Sequence, residues 1–187
     1  MSIINIVGAK IWGGGEQYVY DICKQLQQRH RTAYILVDQS NEDMQSRYAQ
    51  VGHVMTANLY TLKGFLSVNA VAKQMKAQGI NTIVCHSGKY ILFCIALKQL
   101  TGAKLMFIKH NLVPGKTDIY HRWINAQVDA FVCVSKLVYD DLMTPAIKDT
   151  SKYHVVYNGI DPNRFQSFSD AAVSYTHLRA HETSLHL

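Results

Sequence analysis

Ile3-Ile4-Asn5-Ile6-Val7-Gly8-Ala9-Lys10-Ile11-Trp12-Gly13-Gly14-Gly15-Glu16-Gln17 passes from an apolar strand through a glycine turn into a helix. β-Branched residues favour the strand, and three glycines leave the turn without side chains. A strand, a glycine turn and a helix start together form an anion site. Backbone N–H groups face outward there, and the helix dipole adds partial positive charge behind them. Phosphates of a nucleotide-bearing ligand suit that geometry. The bland alternative is a flexible turn with no ligand.

Two phosphate motifs can be tested letter by letter. Gly8 and Gly13 have the spacing of a Walker A loop, but Gly14 stands where its Lys is needed. ATPase and GTPase chemistry thereby lose their key cation. The dinucleotide fingerprint fits Gly13 and Gly15 but then meets Tyr18 where a small residue is required. Asp38, at the end of the next strand, sits where a ribose-binding acid would stand. A nicotinamide enzyme is weakened but stays open.

Outward from this unit, strands and helices alternate. A helix is expected over Glu16–His30, a strand over Ala33–Val37 ending at Asp38, a short polar helix from Asn41 to Gln50, and a strand over His53–Ala57. Val68–Gln78 reads as an amphipathic helix closed by Gly79. Thr82–His86 is a strand, Tyr90–Leu100 a mostly apolar helix closed by Gly102, and Lys104–Asn111 a strand. Thr117–Gln127 is helical and Ala130–Ser135 a strand. Lys136–Met143 is a helix stopped by Pro145, and His154–Tyr157 a last strand. Continuous apolar strands alternating with helices predict an α/β fold: a doubly wound, Rossmann-like parallel sheet covered on both faces.

Composition narrows the function. With 187 residues, 48% hydrophobic and 17% charged, the chain fits one globular domain with a sizeable core. Its longest apolar stretch, Ile91–Leu97, is too short to span a bilayer, and Met1-Ser2 shows no basic leader region. Cys23, Cys85, Cys94 and Cys133 lie among apolar residues without a C-x-x-C pair, as expected of buried, reduced cytoplasmic thiols. A net charge of +6 and a pI near 9.1 favour anionic partners. No basic cluster is interleaved with aromatics, so nucleic acid is not expected.

Val173–Leu187 stands apart. Its run Val173-Ser174-Tyr175-Thr176-His177-Leu178-Arg179-Ala180-His181-Glu182-Thr183 has no strand period and a weak helical one, and resembles a translated sequencing-library adapter. The expected organisation is therefore a Rossmann-like domain over residues 1–168 and a non-native or disordered tail over 169–187. The competing view is a genuine helix with His177 and His181 as ligands.

Ligands of such sheets bind at the carboxyl ends of the strands. The polar residues expected there are Gly13, Gly14, Gly15 and Glu16, then His86, His110, Asn111, Ser135 and Asn158. His110 ends a strand and precedes Asn111-Leu112-Val113-Pro114-Gly115, a loop signature. His86 has the same placement with less around it. His53, His121 and His154 read as surface or boundary residues. Glu16 also reads as a first-turn acid complementing the helix dipole.

Four segments in order carry a resemblance. Gly13-Gly14-Gly15-Glu16, His110-Asn111 with Pro114, Asp129-Ala130-Phe131-Val132-Cys133-Val134-Ser135, and Val155-Val156-Tyr157-Asn158-Gly159-Ile160-Asp161 with Phe165 together resemble the N-terminal domain of retaining GT-B glycosyltransferases of family 4. The resemblance spans about residues 1–168. It implies transfer of a sugar from a nucleotide-sugar donor to a glycan or lipid-linked acceptor, without metal or other cofactor. It implies that the glycine loop approaches the donor diphosphate and that His110 is the catalytic residue facing the donor sugar. It also implies a cytoplasmic enzyme, working peripherally at the inner face of an anionic membrane. The family's second domain, which holds most of the donor, is not found in these 187 residues, so the piece is expected to be inactive alone. A NAD-type oxidoreductase and a non-enzymatic basic binding domain remain the alternatives.

Overall fold

The computed structural model describes residues 2–59, 64–143, 147 and 150–159. The chain divides into two compact units, Met1–Tyr157 and Asn158–Leu187, and only Asn158 and Gly159 of the second are described. The boundary expected at residue 168, Pro145 and the whole tail fall outside the described residues.

The first unit alternates as the apolar pattern requires. β1 (Ile3–Val7) leads to α1 (Gly14–Gln28), β2 (Ala33–Asp38), α2 (Glu42–Tyr48), β3 (His53–Ala57) and α3 (Gly64–Ala77). β4 (Thr82–Cys85) passes through a 3-10 turn, Gly88–Tyr90, into α4 (Ile91–Thr101). β5 (Lys104–Lys109), α5 (Ile119–Gln127), β6 (Ala130–Cys133), α6 (Lys136–Leu142) and β7 (Tyr153–Val155) complete it. All seven strands are parallel, in the order β3-β2-β1-β4-β5-β6-β7. The expected Rossmann-like α/β sheet is therefore present.

Strand alternation sorts the side chains into two layers. Val7, Ile35 and Val37 face α1 and α2, where Val19, Cys23, Met44 and Tyr48 are buried with them. Ile4, Ile6, Leu36, Ile83 and Leu105 face the other layer, packed with Val71 and Met75 of α3 and Cys94 and Leu97 of α4. Both layers are needed because the central strands bury apolar side chains on both faces. All four cysteines are buried and free. Gly102 closes α4 in the left-handed conformation, with φ of 71°, where a Cβ would be strained.

Several ends differ from the sequence reading, and at α5 and α6 a side-chain cap sets the boundary. β5 stops at Lys109, so His110 and Asn111 leave the strand. β6 stops at Cys133, and Ser135 caps α6 through Oγ, accepting from Val138 N at 3.2 Å. α5 starts at Ile119 rather than Thr117, since Asp118 accepts from His121 N at 3.1 Å as its N-cap. α3 begins at Gly64, earlier than Val68. The last strand is Tyr153–Val155, not His154–Tyr157.

Candidate functional site

Strand order reverses between β1 and β4, and the crevice beyond their carboxyl ends is where this architecture takes ligands. Asn5 is the single polar residue of β1 and is almost fully buried. It pairs in register with Val84 of β4, one residue before Cys85 and two before His86. Period-two alternation then places Asn5, His86 and, from β5, His110 on the α1 side of the sheet.

The three side chains form a hydrogen-bonded row. Asn5 Oδ1 lies 3.0 Å from His86 Nε2, and His86 Nδ1 lies 3.1 Å from His110 Nε2. Asn5 Nδ2 donates to Cys23 Sγ at 3.8 Å. The imidazoles stack, with ring centres 5.4 Å apart and 25° between planes. Tyr18, from α1, presses edge-on against His110 at 5.1 Å and His86 at 6.2 Å.

Chemistry fixes the protons of this row. A carbonyl oxygen only accepts, so His86 Nε2 carries the hydrogen. Burial, helped by the neighbouring His110, pushes the pKa of His86 down to about 3, and burial lowers that of His110 as well. Both rings are neutral near pH 7. Neutral His86 accepts at Nδ1, so His110 donates from Nε2 and keeps a free lone pair on Nδ1. His110 is thereby an oriented hydrogen-bond acceptor rather than a cation.

The glycine loop lies at the same edge of the sheet, after β1. Gly13 is the N-cap of α1 in extended conformation. Its N–H donates to Glu16 Oε2 at 3.1 Å, so Glu16 serves as a cap and Gly13's amide is engaged. The open donors are therefore Gly14 and Gly15, not all three glycines. A Cβ at either would meet nothing within 4 Å. Asn41 holds the approach to the loop, donating to Ala9 O at 3.0 Å and Lys10 O at 3.3 Å. Trp12 packs on Tyr20 and Tyr48, with the Arg47 guanidinium 4.9 Å from its ring centre. The loop is braced before any ligand arrives.

Other predicted residues divide. Asn111 is exposed beside His110 and lines, with His86 and His110, a cavity of about 430 Å³. Ser135 is a helix cap. Asn158 begins the second unit. Asp38 is not available to a ribose: its carboxylate accepts from Ser40 N at 3.0 Å, Ser40 Oγ at 2.5 Å and Leu59 N at 2.8 Å. Burial raises its pKa, but these hydrogen bonds and the nearby Lys10 outweigh that and hold it below the usual carboxylate range. Residue pattern alone does not mark Asn5 or Tyr18 as site residues. The signal for Asn5 was an amide inside an otherwise apolar strand.

The matched family model is Glycosyltransferase Family 4, over residues 12–164. The chain belongs to that family. No curated protein sequence matches it. Among solved structures, a glycosyltransferase from Rickettsia africae ESF-5 is similar with a TM-score of 0.73 at 16% identity, covering 96% of this chain and 49% of that one. Anabaena Alr3699/HepE, in complex with UDP-glucose, gives 0.71 at 16% identity, covering 97% and 50%. Acinetobacter baumannii MurG gives 0.60 at 12% identity, covering 90% and 50%. The fold of this family 4 chain is thus the N-terminal half of a GT-B glycosyltransferase, and it spans about half the length of these relatives.

Proposed function

We propose that this family 4 chain is the acceptor-side domain of a retaining, metal-independent glycosyltransferase. The intact enzyme moves a sugar from a nucleotide-sugar donor to a glycan or lipid-linked acceptor, in the cytoplasm and at the inner face of the membrane. The observation that carries this reading is the row Asn5–His86–His110 at the switch point of the sheet, on the same sheet edge as the open Gly14 and Gly15 amides. Anabaena HepE, whose structure holds UDP-glucose, supports a donor of that class.

Transfer breaks the bond between the anomeric carbon and the diphosphate, leaving negative charge on the departing group. The Gly14 and Gly15 N–H groups and the α1 dipole offset that charge from fixed positions, without an ion. Developing positive charge sits on the anomeric carbon. His110, neutral and presenting Nδ1, accepts from a sugar hydroxyl and orients the ring without adding a repelling cation. Its backbone carbonyl is the other group able to face that centre.

Nucleotide titration tests the reading on the full-length enzyme. UDP-glucose or UDP is expected to bind at least about tenfold tighter than NAD, a difference of about 1.4 kcal/mol. Tighter binding of NAD would overturn the reading in favour of an oxidoreductase. The engagement of Asp38 by Ser40 and Leu59 argues against that alternative.

A further inference from the structure

The cavity of about 430 Å³ that His86 and His110 line has a third histidine, which the donor chemistry leaves idle. His121 reaches it from the first turn of α5. Its Nδ1 lies 2.6 Å from Asp118 Oδ2, while Asp118 Oδ1 accepts from His121 N at 3.1 Å. Capping explains the second of these bonds, since an N-cap oxygen takes a first-turn amide. It does not explain why the other oxygen holds the ring. Hydrogen bonds from the His121 backbone N–H and from its ring keep the Asp118 carboxyl below the usual carboxylate range. An ionised carboxylate only accepts, so Nδ1 carries the hydrogen and the neutral ring has its lone pair on Nε2. No described residue hydrogen-bonds Nε2. Tyr120 stands edge-on to the imidazole, with ring centres 5.2 Å apart. His110 and His121 flank the loop 111–118, which Lys109 Nζ pins by donating to Val113 O at 2.6 Å. One loop thus spaces the histidine of the donor row and a histidine with a basic nitrogen to spare, both lining one cavity.

We propose that His121 is the general base for the acceptor hydroxyl and that Asp118 is its positioning residue. The inference rests on the glycosyltransferase reading, which leaves the acceptor's proton unassigned. The acceptor O–H gives its proton to His121 Nε2 as its oxygen bonds the anomeric carbon. The bond from that carbon to the diphosphate oxygen breaks, and its electron pair leaves with the diphosphate. The imidazolium so formed faces the Asp118 carboxylate. It passes its proton to water, since the His121 side chain is 34% exposed. Asp118→Asn separates this role from capping. Asparagine caps as well as aspartate, but its amide donates toward Nδ1. The ring hydrogen then moves to Nε2, and the base is lost.

Nitrogen NMR of the 187-residue chain at alkaline pH reads the tautomer directly. The His121 hydrogen is expected on Nδ1, and on Nε2 in Asp118→Asn, with the melting temperature unchanged. The full-length enzyme is then given UDP-glucose with water or azide as acceptor. Asp118→Asn and His121→Ala are each expected to lower glucose formation about 100-fold, with UDP-glucose affinity retained. Glucosyl azide formation removes no proton and is expected to fall far less. Hydrogen on Nε2 in the unmutated chain would overturn the proposal, as would equal losses with water and azide. Glucose formation unchanged in either variant would also overturn it, leaving the proton to the departing diphosphate. In each of these cases UDP-glucose binding keeps the glycosyltransferase reading intact. An unmutated full-length enzyme that binds no UDP-glucose would overturn both.

Discussion

His86 Nε2 donates to Asn5 Oδ1, and burial, with His110 beside it, disfavours a charged imidazole at that depth. The consequence is a pH dependence of folding with a definite sign. In the unfolded chain His86 titrates near 6.5, whereas in the fold its pKa is about 3. Between those values the unfolded state binds more protons, so stability is full above about pH 6.5 and falls as pH drops toward 3. The slope contributed is at most about 1.4 kcal/mol per pH unit for one histidine. His86→Phe is expected to flatten the slope between pH 7 and 5, read from urea melts, and an unchanged slope would place the acid sensitivity elsewhere. His110→Ala in the intact enzyme is expected to cut kcat by about 100-fold while moving the melting temperature little. The intact row makes His86 more consequential than its position alone implied, because it sets the His110 proton. Gly14→Val concerns the donor instead. Its side chain meets open space in the protein, so the fold is retained. Nucleotide affinity is expected to fall at least about tenfold, measured by calorimetry.

At the scale of elements, two helix starts at the carboxyl edge look alike in sequence and behave differently. The α6 start is closed by Ser135, whose Oγ accepts from Val138 N, leaving a capped end. The α1 start has a glycine N-cap without an oxygen to offer. Glu16 reaches back only to Gly13 N. Amides at Gly14 and Gly15 are left for an external anion, which is why the proposed phosphate site lies at α1. Ser135→Ala is expected to cost about 1 kcal/mol of stability with nucleotide affinity unchanged. A loss of affinity without a loss of stability would return Ser135 to the ligand site. The bracing of residues 9–12 by Asn41 and Trp12 belongs to the same scale, since a loop held in place spends less of the binding energy on ordering.

For the whole molecule, the buried apolar residues among those described lie within Met1–Tyr157. Both faces of the sheet carry helices of that unit, so its unfolding is expected to be cooperative. Shortening the chain at Ala172 is therefore expected to leave the melting temperature within about 2 °C, since a 1 kcal/mol change shifts a domain of this size by about 2–4 °C. A larger fall would show that residues 173–187 are integral to the fold and would defeat the adapter reading. No helix among the described residues is long and apolar enough to cross a membrane.

The sequence by itself determined the architecture, because continuous apolar strands between amphipathic helices have one way to bury both faces. It also placed Gly14, Gly15, His86 and His110 at one edge, because parallel strands share their carboxyl ends. Tertiary structure alone decided which polar atoms were already spoken for. Gly13's amide, Asp38's carboxylate and Ser135's hydroxyl each had the right type and place for a ligand. Each is consumed by a partner within 3.2 Å, a fact of geometry that residue type does not encode. Asn5 and His86 lie 81 positions apart and meet only through the pairing of β1 with β4. Their hydrogen bond, and the proton it assigns to His110, exist only once the sheet has formed.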